Sequence, residues 1–142
     1  MSDLEAKDVM TEGVYAIQKD ETVRSAAQEM KEKGTRSLVV VDEDEVVGIV
    51  VARDVLYEIT APGEDAETAL VSQVMTSDLI TADPHDDVSD ISRAMLENDI
   101  SRIPILRGET LVGIVTHEDI LRAWPGYVDL LEEKAASGRS DL

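Results

Sequence analysis

Two short stretches of the sequence place an acidic side chain where a polar ligand can be held. Residues 113–119 read Gly-Ile-Val-Thr-His-Glu-Asp, and residues 48–54 read Gly-Ile-Val-Val-Ala-Arg-Asp. In each stretch an apolar run of strand length leads to an acid, Asp119 or Asp54, that opens a helical pattern. Backbone N–H groups at a helix start are unpaired, and the helix dipole favours negative charge there. A strand that runs into a helix start is therefore a common site for a polar ligand.

Each of these residues also has a purely structural interpretation. Asp54 and Asp119 would stabilise their helices by about 0.3–1 kcal/mol as acids in the first turn. Thr116 would serve as a helix cap. His117 is interpreted as a solvated residue at the helix start rather than as a base. The residue types alone leave the ligand-binding and structural interpretations open.

The two stretches belong to a longer internal repeat. A shift of 65 residues, which takes Val9 to Val74, aligns residues 9–56 with residues 74–121 without gaps and gives identical pairs along most of the repeat. Two copies are too few for a solenoid and favour a pair related by a pseudo-twofold axis. One copy is too small to bury a good core, whereas two that pack face to face share one and create clefts between them.

Each copy predicts the order strand, helix, strand, strand, helix. The first copy, residues 1–60, predicts a lead-in helix over 2–8 capped by Ser2 or Asp3, an extended segment over 14–17, a helix capped by Glu21 or Thr22, strands over 37–41 and 46–51, and a helix over 53–60. That second helix should bury Val23, Ala26, Ala27 and Met30 and end at Gly34.

The second copy, residues 69–124, follows a linker over 61–68 and predicts the same elements. They are a helix over 69–74, an extended segment over 79–81, a helix started by Asp83 or Asp87 with Val88, Ile91 and Met95 on one face, strands over 102–106 and 111–115, and a helix over 118–124. Residues 125–142 predict a break at Pro125-Gly126, a helix over 127–136 and a frayed tail over 137–142. The methionines Met10, Met30, Met75 and Met95 should fill the core.

The predicted fold class is therefore α/β (α+β): two pseudo-twofold-related βαββα repeats, with small sheets packed face to face and helices outside. The expected C-terminal helix has Val128, Leu130 and Leu131 on its apolar positions. Trp124 should anchor this helix or an oligomer contact.

The composition excludes several classes of site. The 142 residues include no cysteine and two histidines, which excludes disulfides, thiolate zinc sites and cysteine nucleophiles and disfavours a histidine-based metal site. The N-terminus lacks the features of a signal peptide, and no apolar run approaches the roughly 20 residues of a membrane span. The sequence predicts a soluble, cytoplasmic protein.

The charge is strongly acidic. The 31 acidic and 13 basic residues give a net charge of −18, so binding to nucleic acid or to an anionic membrane is not expected, because both need a basic surface. The acids are dispersed along the chain, which suggests a halophilic protein from a very salty cytoplasm, where the Debye length falls to about 3 Å. An acidic protein of ordinary salinity is the alternative.

The sequence contains no recognisable catalytic motif: it has no P-loop, GxGxxG, HExxH or GxSxG pattern. We therefore expect no enzymatic activity. A metal-dependent nucleotide-processing enzyme remains an alternative because acidic side chains bind Mg²⁺.

The ordered set of motifs resembles a tandem pair of cystathionine-β-synthase (CBS) domains, known as a Bateman module. The motifs are Val-Met-Thr at 9–11 and 74–76, Arg-Ile-Pro-Ile at 102–105, and the two Gly-Ile-Val-x-x-x-Asp stretches, and the resemblance covers about residues 7–124. It implies a non-catalytic regulatory module that senses an adenosine-type ligand (AMP, ADP, ATP or S-adenosylmethionine, with or without Mg²⁺) and has no resident cofactor.

The resemblance also implies roles for individual residues. In the family's ribose motif an Asp accepts hydrogen bonds from both ribose hydroxyls, and a Thr or Ser three residues earlier supports the sugar or phosphate. Asp119 and Thr116 match fully, whereas Asp54 is preceded by Val51, so the Asp119 cleft is the preferred site. Its other implied residues are Ile114, Thr11, Val14, Tyr15 and Ala16 around the base and Arg36 and Arg102 near the phosphates. The mirror cleft would use Asp54, Ile49, Thr76, Ile80 and Ile100.

The implied partners are a second copy of the chain and an effector protein that the sequence does not identify. We expect a homodimer that buries Leu121, Trp124, Leu130 and Leu131. The alternative function is a structural dimerisation module without a ligand. In that case Arg36 and Arg102 would form surface ion pairs.

Overall fold

The computed structural model describes residues 3–136 and divides the chain into two compact units. The central unit comprises Val14–Leu79, and the terminal unit comprises Met1–Gly13 together with Ile80–Leu142. Each unit thus contains the strands of one repeat and the segment that leads into the other repeat.

The elements follow the predicted order, except that, among the described residues, no strand forms in the second repeat ahead of its first long helix. They are α1 (Ala6–Val9), β1 (Ala16–Gln18), α2 (Val23–Lys33), β2 (Ser37–Asp42), β3 (Glu45–Val51), α3 (Ala52–Val55), which continues as a π-helical turn (Leu56–Thr60), α4 (Val71–Val74), α5 (Val88–Glu97), β4 (Arg102–Arg107), β5 (Thr110–Thr116), α6 (His117–Ala123) and α7 (Gly126–Ala136). No helix within residues 3–136 is long and apolar enough to cross a membrane.

The central unit contains a three-stranded sheet in the order β1-β2-β3, with β1 parallel and β3 antiparallel to β2. The helix α2 makes the crossover that a parallel pair requires. Thr22 starts α2 by accepting from the Ser25 amide at 3.1 Å, and Gly34 ends it in a left-handed conformation. Val23, Ala26 and Met30 are buried as predicted, but Ala27 is exposed and was wrongly placed in the core.

The terminal unit contains a two-stranded sheet, β4-β5, and the segment predicted as extended over residues 79–81 forms no strand. In the central unit the Val39 amide donates to the Tyr15 carbonyl, which joins β1 to the sheet. Pro104 stands at the position equivalent to Val39 and has no N–H to donate. Only a single parallel bridge, Ala82 to Ile105, forms there.

Several helix boundaries differ from the sequence prediction. Helix α1 begins at Ala6 rather than at residue 2, because the Asp8 carboxylate accepts from the Glu5 amide at 2.9 Å and caps the helix there. Helix α4 begins at Val71 rather than at residue 69. Asp87, not Asp83, caps α5 by accepting from the Ser89 amide at 2.7 Å. Ser2 and the tail over 137–142 lie outside the described residues.

Each unit has its own apolar core. Val88, Met95, Ile103 and Ile120 are among the buried residues of the terminal unit, whereas Ala26, Met30, Leu38 and Val50 are among those of the central unit. Met10 and Met75 are partly buried against these two cores, so the predicted role of the methionines is confirmed.

The glycines of the two Gly-Ile-Val motifs allow a chain segment to cross close to the hairpin. A Cβ on Gly48 would lie 2.5 Å from Met75 Sδ and 2.9 Å from the Thr76 carbonyl oxygen, and one on Gly113 would lie 2.6 Å from Met10 Sδ. The Val-Met-Thr motifs therefore accompany the Gly-Ile-Val motifs for a packing reason. Each threonine pairs through its backbone with the isoleucine after the glycine, Thr11 with Ile114 and Thr76 with Ile49.

Candidate functional site

Asp119 lies in the first turn of α6, where its side chain and that of Thr116 bond reciprocally to the backbone. The Thr116 amide donates to Asp119 Oδ2 at 2.9 Å, and the Asp119 amide donates to Thr116 Oγ1 at 3.2 Å. This capping box explains why the two residues are spaced by three. Asp119 is only 6% exposed, so its carboxylate needs polar partners.

Two further side chains supply those partners. The Thr11 hydroxyl donates to Asp119 at 3.2 Å (Oδ1) and 3.3 Å (Oδ2), and Arg122 Nη1 lies 3.4 Å from Asp119 Oδ1. Thr11 comes from the segment that crosses Gly113, while Arg122 lies one helical turn after the acid. Three elements therefore converge on one buried carboxylate.

The equivalent acid in the central unit has fewer partners. Asp54 is half-buried and accepts from the Val51 amide at 3.0 Å. Val51 has no hydroxyl, and Tyr57 stands where the other copy has Arg122. Within residues 3–136, Thr76 makes no side-chain hydrogen bond to Asp54. The two copies thus differ in both hydrogen-bonding capacity and local charge.

Each acid has an arginine in its own unit. Arg102 is the backbone partner of Thr116 in the β4-β5 ladder, so it flanks the Asp119 turn. The carbonyl of Arg36 accepts from the Ala52 amide at 2.9 Å, at the start of the helix that carries Asp54. The structure therefore brings Arg102 together with Thr116 and places Arg36 beside the Asp54 helix.

The other residues implied by the resemblance divide between the units. Ile114, Ile80 and Ile100 belong to the terminal unit with Asp119, and Ile49 and Thr76 belong to the central unit with Asp54. Ile114 and Ile49 are buried, whereas Ile80 and Ile100 pack at the edge of the terminal core. Val14, Tyr15 and Ala16 belong to the central unit, where Lys33 Nζ lies 5.6 Å from the centre of the Tyr15 ring.

His117 differs from its prediction as a solvated residue, because it is half-buried against a tyrosine of α7. The Tyr127 hydroxyl lies 2.7 Å from His117 Nδ1, and the two rings meet edge to face with centres 5.0 Å apart. Burial lowers the pKa of His117, opposed by Glu118, and raises the pKa of Tyr127 to about 12. At neutral pH the tyrosine therefore donates to a neutral imidazole.

Two residues near the site, Arg122 and Tyr127, were not predicted from the sequence. Arg122 was detectable, because a cation three residues after an acid on a helix is a recognised pairing. Tyr127 carried no such signal: its distance from His117 along the chain follows no helical or strand period.

Acidification is expected to destabilise the protein through His117. Because its folded pKa is lowered, the contribution of His117 to stability is complete above the unfolded value of 6.5 and is lost as pH falls through the folded pKa. His117→Asn retains an acceptor for Tyr127 but does not titrate, so its melting temperature should fall less below about pH 6.5. If the melting temperatures of the two proteins fall equally as the pH is lowered through this range, His117 is not the source of the acid destabilisation.

The described residues offer no metal centre near Asp119. Within residues 3–136, no group of three or more His, Asp or Glu side chains is arranged to hold a metal ion. A groove of about 280 Å³ does lie between α5 and α7, lined by Arg93, Leu96, Glu97, Leu130, Glu133 and Lys134. Because Asp119 is not among the lining residues, we place the candidate site at the acid rather than in the groove.

Comparison with known proteins defines the class. The model of the CBS domain matches residues 6–61 and 71–126, and the chain belongs to the CBS domain family as a tandem pair. The match ends where α7 begins. The predicted family and the mixed α/β fold are thus confirmed.

Individual relatives agree with this assignment. The CBS domain-containing protein YhcV of Bacillus subtilis is 34% identical over 114 residues, which cover 80% of this chain and 81% of that protein. Hypoxic response protein 1 of Mycobacterium tuberculosis is 31% identical over 123 residues, covering 86% of each chain.

Solved structures share the fold. A hexameric CBS-CP12 protein from bloom-forming cyanobacteria has a TM-score of 0.80 and 34% identity, covering 87% of this chain and 73% of that one. The structure of Hypoxic Response Protein I, which has two coordinated zinc ions, has a TM-score of 0.75 and 30% identity, covering 84% and 98%.

Proposed function

We propose that this protein is a non-catalytic cytoplasmic regulatory module that binds an adenosine-type ligand through Asp119. The observation that supports this most is the buried Asp119 carboxylate, on which Thr116, Thr11 and Arg122 converge. An ionised carboxylate with two oxygens pairs well with a vicinal diol, because it accepts two charge-assisted hydrogen bonds. The ligands to consider are AMP, ADP, ATP and S-adenosylmethionine.

The local charge favours phosphate-bearing ligands in spite of the acidic surface. Arg122 contacts the acid directly, and Arg102 pairs with Thr116 through the strand ladder. These two arginines provide positive potential beside Asp119 in a protein of net charge −18. Mg²⁺ from solution would further offset the charge of a triphosphate.

A panel of adenine compounds tests this function. AMP, ADP, ATP and S-adenosylmethionine, with and without Mg²⁺, are added to the protein at low and at molar KCl, and melting temperatures are compared with those for matched guanine compounds. At least one adenine compound should raise the melting temperature. No shift with any of them, at either salt concentration, would overturn the proposal.

A structural dimerisation module without a ligand is the alternative function. Val51, which has no hydroxyl, favours it for the Asp54 site. Exposed leucines at equivalent repeat positions, Leu56 and Leu121, favour assembly in either case. Leu130 is buried within its own unit and is unavailable for a dimer contact, contrary to its predicted role.

We expect a homodimer that buries Leu121 and Leu56, which are 44% and 53% exposed in the single chain. Light scattering in molar salt should give about twice 15.5 kDa. Leu121→Glu should shift the protein toward the monomer, whereas Ala27→Glu, at an exposed position on α2, should not. A wild-type mass of 15.5 kDa at tens of micromolar would contradict the dimer.

Salt should stabilise the fold if the acidic surface is an adaptation to high salinity. Molar KCl screens the repulsion among dispersed acids, so the melting temperature should rise steeply between low salt and molar KCl. A melting temperature independent of KCl would contradict the halophilic interpretation and leave the fold assignment intact.

A further inference from the structure

Helix α7 lies beyond the match to the CBS domain yet packs into the terminal unit. Its buried residues, Tyr127, Leu130 and Lys134, follow the spacing of one helix face. Tyr127 is fully buried, with 0% of its surface exposed. The helix therefore adds to the terminal core rather than lying on its surface.

Each end of α7 is fixed by a polar contact. At its start the Tyr127 hydroxyl meets His117 Nδ1 at 2.7 Å, and His117 is the first residue of α6. Near its end, the buried Lys134 ammonium donates to the Leu96 carbonyl at 2.6 Å and to the Asp99 carboxylate, at the end of α5. Helix α7 is therefore bonded to α6 near its start and to the end of α5 near its own end.

The contact with His117 reaches the residues that form the candidate site. His117 directly follows Thr116 and lies two residues before Asp119, and its amide donates to the Ser101 carbonyl at 2.9 Å. The Tyr127 hydroxyl therefore contacts a residue within the turn in which Thr116 and Asp119 bond to each other.

This link is specific to the second repeat. Ala52 occupies the position equivalent to His117, and Pro62 occupies the position equivalent to Tyr127. Helix α3 of the central unit begins without any such partner, so the repeat does not need the link in order to fold. The link occurs in the same copy that has both Thr116 and Arg122.

We infer that Tyr127 is a positioning residue for the Asp119 site, and that α7 is thereby coupled to ligand binding. The inference rests on the proposed function. A ligand on Asp119 fixes the turn over residues 116–119 and so favours the docked α7. By linkage, the docked α7 favours the ligand to the same degree. The C-terminal helix is then the element through which occupancy is communicated.

The test compares three variants with the wild type. Tyr127→Phe retains the ring and removes the hydroxyl, His117→Asn retains an acceptor at the Nδ1 position, and Tyr57→Phe removes an exposed hydroxyl from the central unit as the matched control. Binding of AMP, ATP and S-adenosylmethionine is measured by calorimetry. Fluorescence of Trp124, the single tryptophan, reports the junction of α6 and α7. Hydrogen exchange is followed at the amides of His117 and Asp119.

Tyr127→Phe should weaken ligand binding by about three- to tenfold, since it loses one hydrogen bond. It should also speed exchange at His117 and Asp119 and alter the Trp124 response. His117→Asn should retain most of the wild-type affinity, and Tyr57→Phe should match the wild type. If Tyr127→Phe lowers the melting temperature but changes neither the affinity nor the exchange of these amides, Tyr127 is purely structural and the inference is overturned.

The exchange measurement separates this inference from the proposed function. If the wild-type protein binds none of the three compounds, both the proposed function and the coupling of α7 to ligand binding are rejected. Exchange at His117 and Asp119 in Tyr127→Phe then decides whether α7 positions the turn. Unchanged exchange rejects the positioning role as well.

Discussion

Replacing Gly48 with alanine is expected to lower the free energy of unfolding by about 1–3 kcal/mol, the range for overpacking a core. The added Cβ would lie 2.5 Å from Met75 Sδ and 2.9 Å from the Thr76 carbonyl oxygen. The sulfur can move, but the carbonyl of Thr76 is fixed, because both the carbonyl and the amide of Thr76 are hydrogen-bonded to the backbone of Ile49. The variant must therefore displace the crossing segment, and denaturant unfolding monitored by circular dichroism measures the loss.

Gly113→Ala is the matched comparison in the terminal unit. Its Cβ would lie 2.6 Å from Met10 Sδ and 3.1 Å from the Thr11 carbonyl oxygen, so the backbone conflict is milder and the loss should be smaller. Because Thr11 also donates to Asp119, this variant should weaken ligand binding, which Gly48→Ala should affect less. If the free energy of unfolding of both variants lies within about 0.5 kcal/mol of the wild-type value, the close approach of the crossing segments to the two glycines is contradicted.

Asp119→Ala should abolish most of the stabilisation that an adenine ligand confers. At a hundred times the dissociation constant, one bound ligand stabilises a fold by about 2.7 kcal/mol. The carboxylate supplies both acceptors for the ribose diol, so its loss removes the interaction on which the proposed site depends. Asp119→Asn retains the shape and should lose most of the ligand effect with less disturbance of the fold. Thermal shift at matched ligand concentration measures each loss.

Asp54→Ala should reduce the ligand effect less, because Thr116 offers a hydroxyl that Val51 lacks. A hydrogen bond to a charged group contributes about 1.5–3 kcal/mol, which corresponds to a difference of roughly tenfold or more in affinity. Equal losses of ligand stabilisation in the Asp54 and Asp119 variants would refute this asymmetry.

Local signals in the sequence predicted much of the fold. Thr22 and Gly34 delimit α2 as expected, since a cap and a left-handed glycine act within one turn of the chain. Both hairpins also form where β-branched runs flank short polar turns. The missing strand at residues 79–81 was not anticipated, because the repeat suggested equal copies. The copies differ because Pro104 lacks the N–H that Val39 donates in the first copy. The effect of this proline becomes visible only when the pairing of the strands is known.

Some residues of the candidate site were likewise predictable from local sequence signals, whereas the roles of others depend on contacts between distant parts of the chain. Asp119 was found because it opens a helical pattern after an apolar run, and Thr116 because it lies three residues earlier, where the family resemblance implies a hydroxyl. Gly48 and Gly113 were noticed as motif residues, but their packing role depends on methionines far along the chain. Tyr127 was missed because a hydrogen bond between two helices leaves no periodic trace in the sequence.

Calorimetric titration of AMP, ATP and S-adenosylmethionine into the wild type and Asp119→Asn, in molar KCl, tests whether the protein binds an adenosine-type ligand through Asp119. We expect saturable heat with at least one compound for the wild type, and loss of the tighter binding in Asp119→Asn while circular dichroism shows a folded protein. Absence of saturable heat with all three compounds, or equal affinity in the two folded proteins, would contradict ligand binding through Asp119.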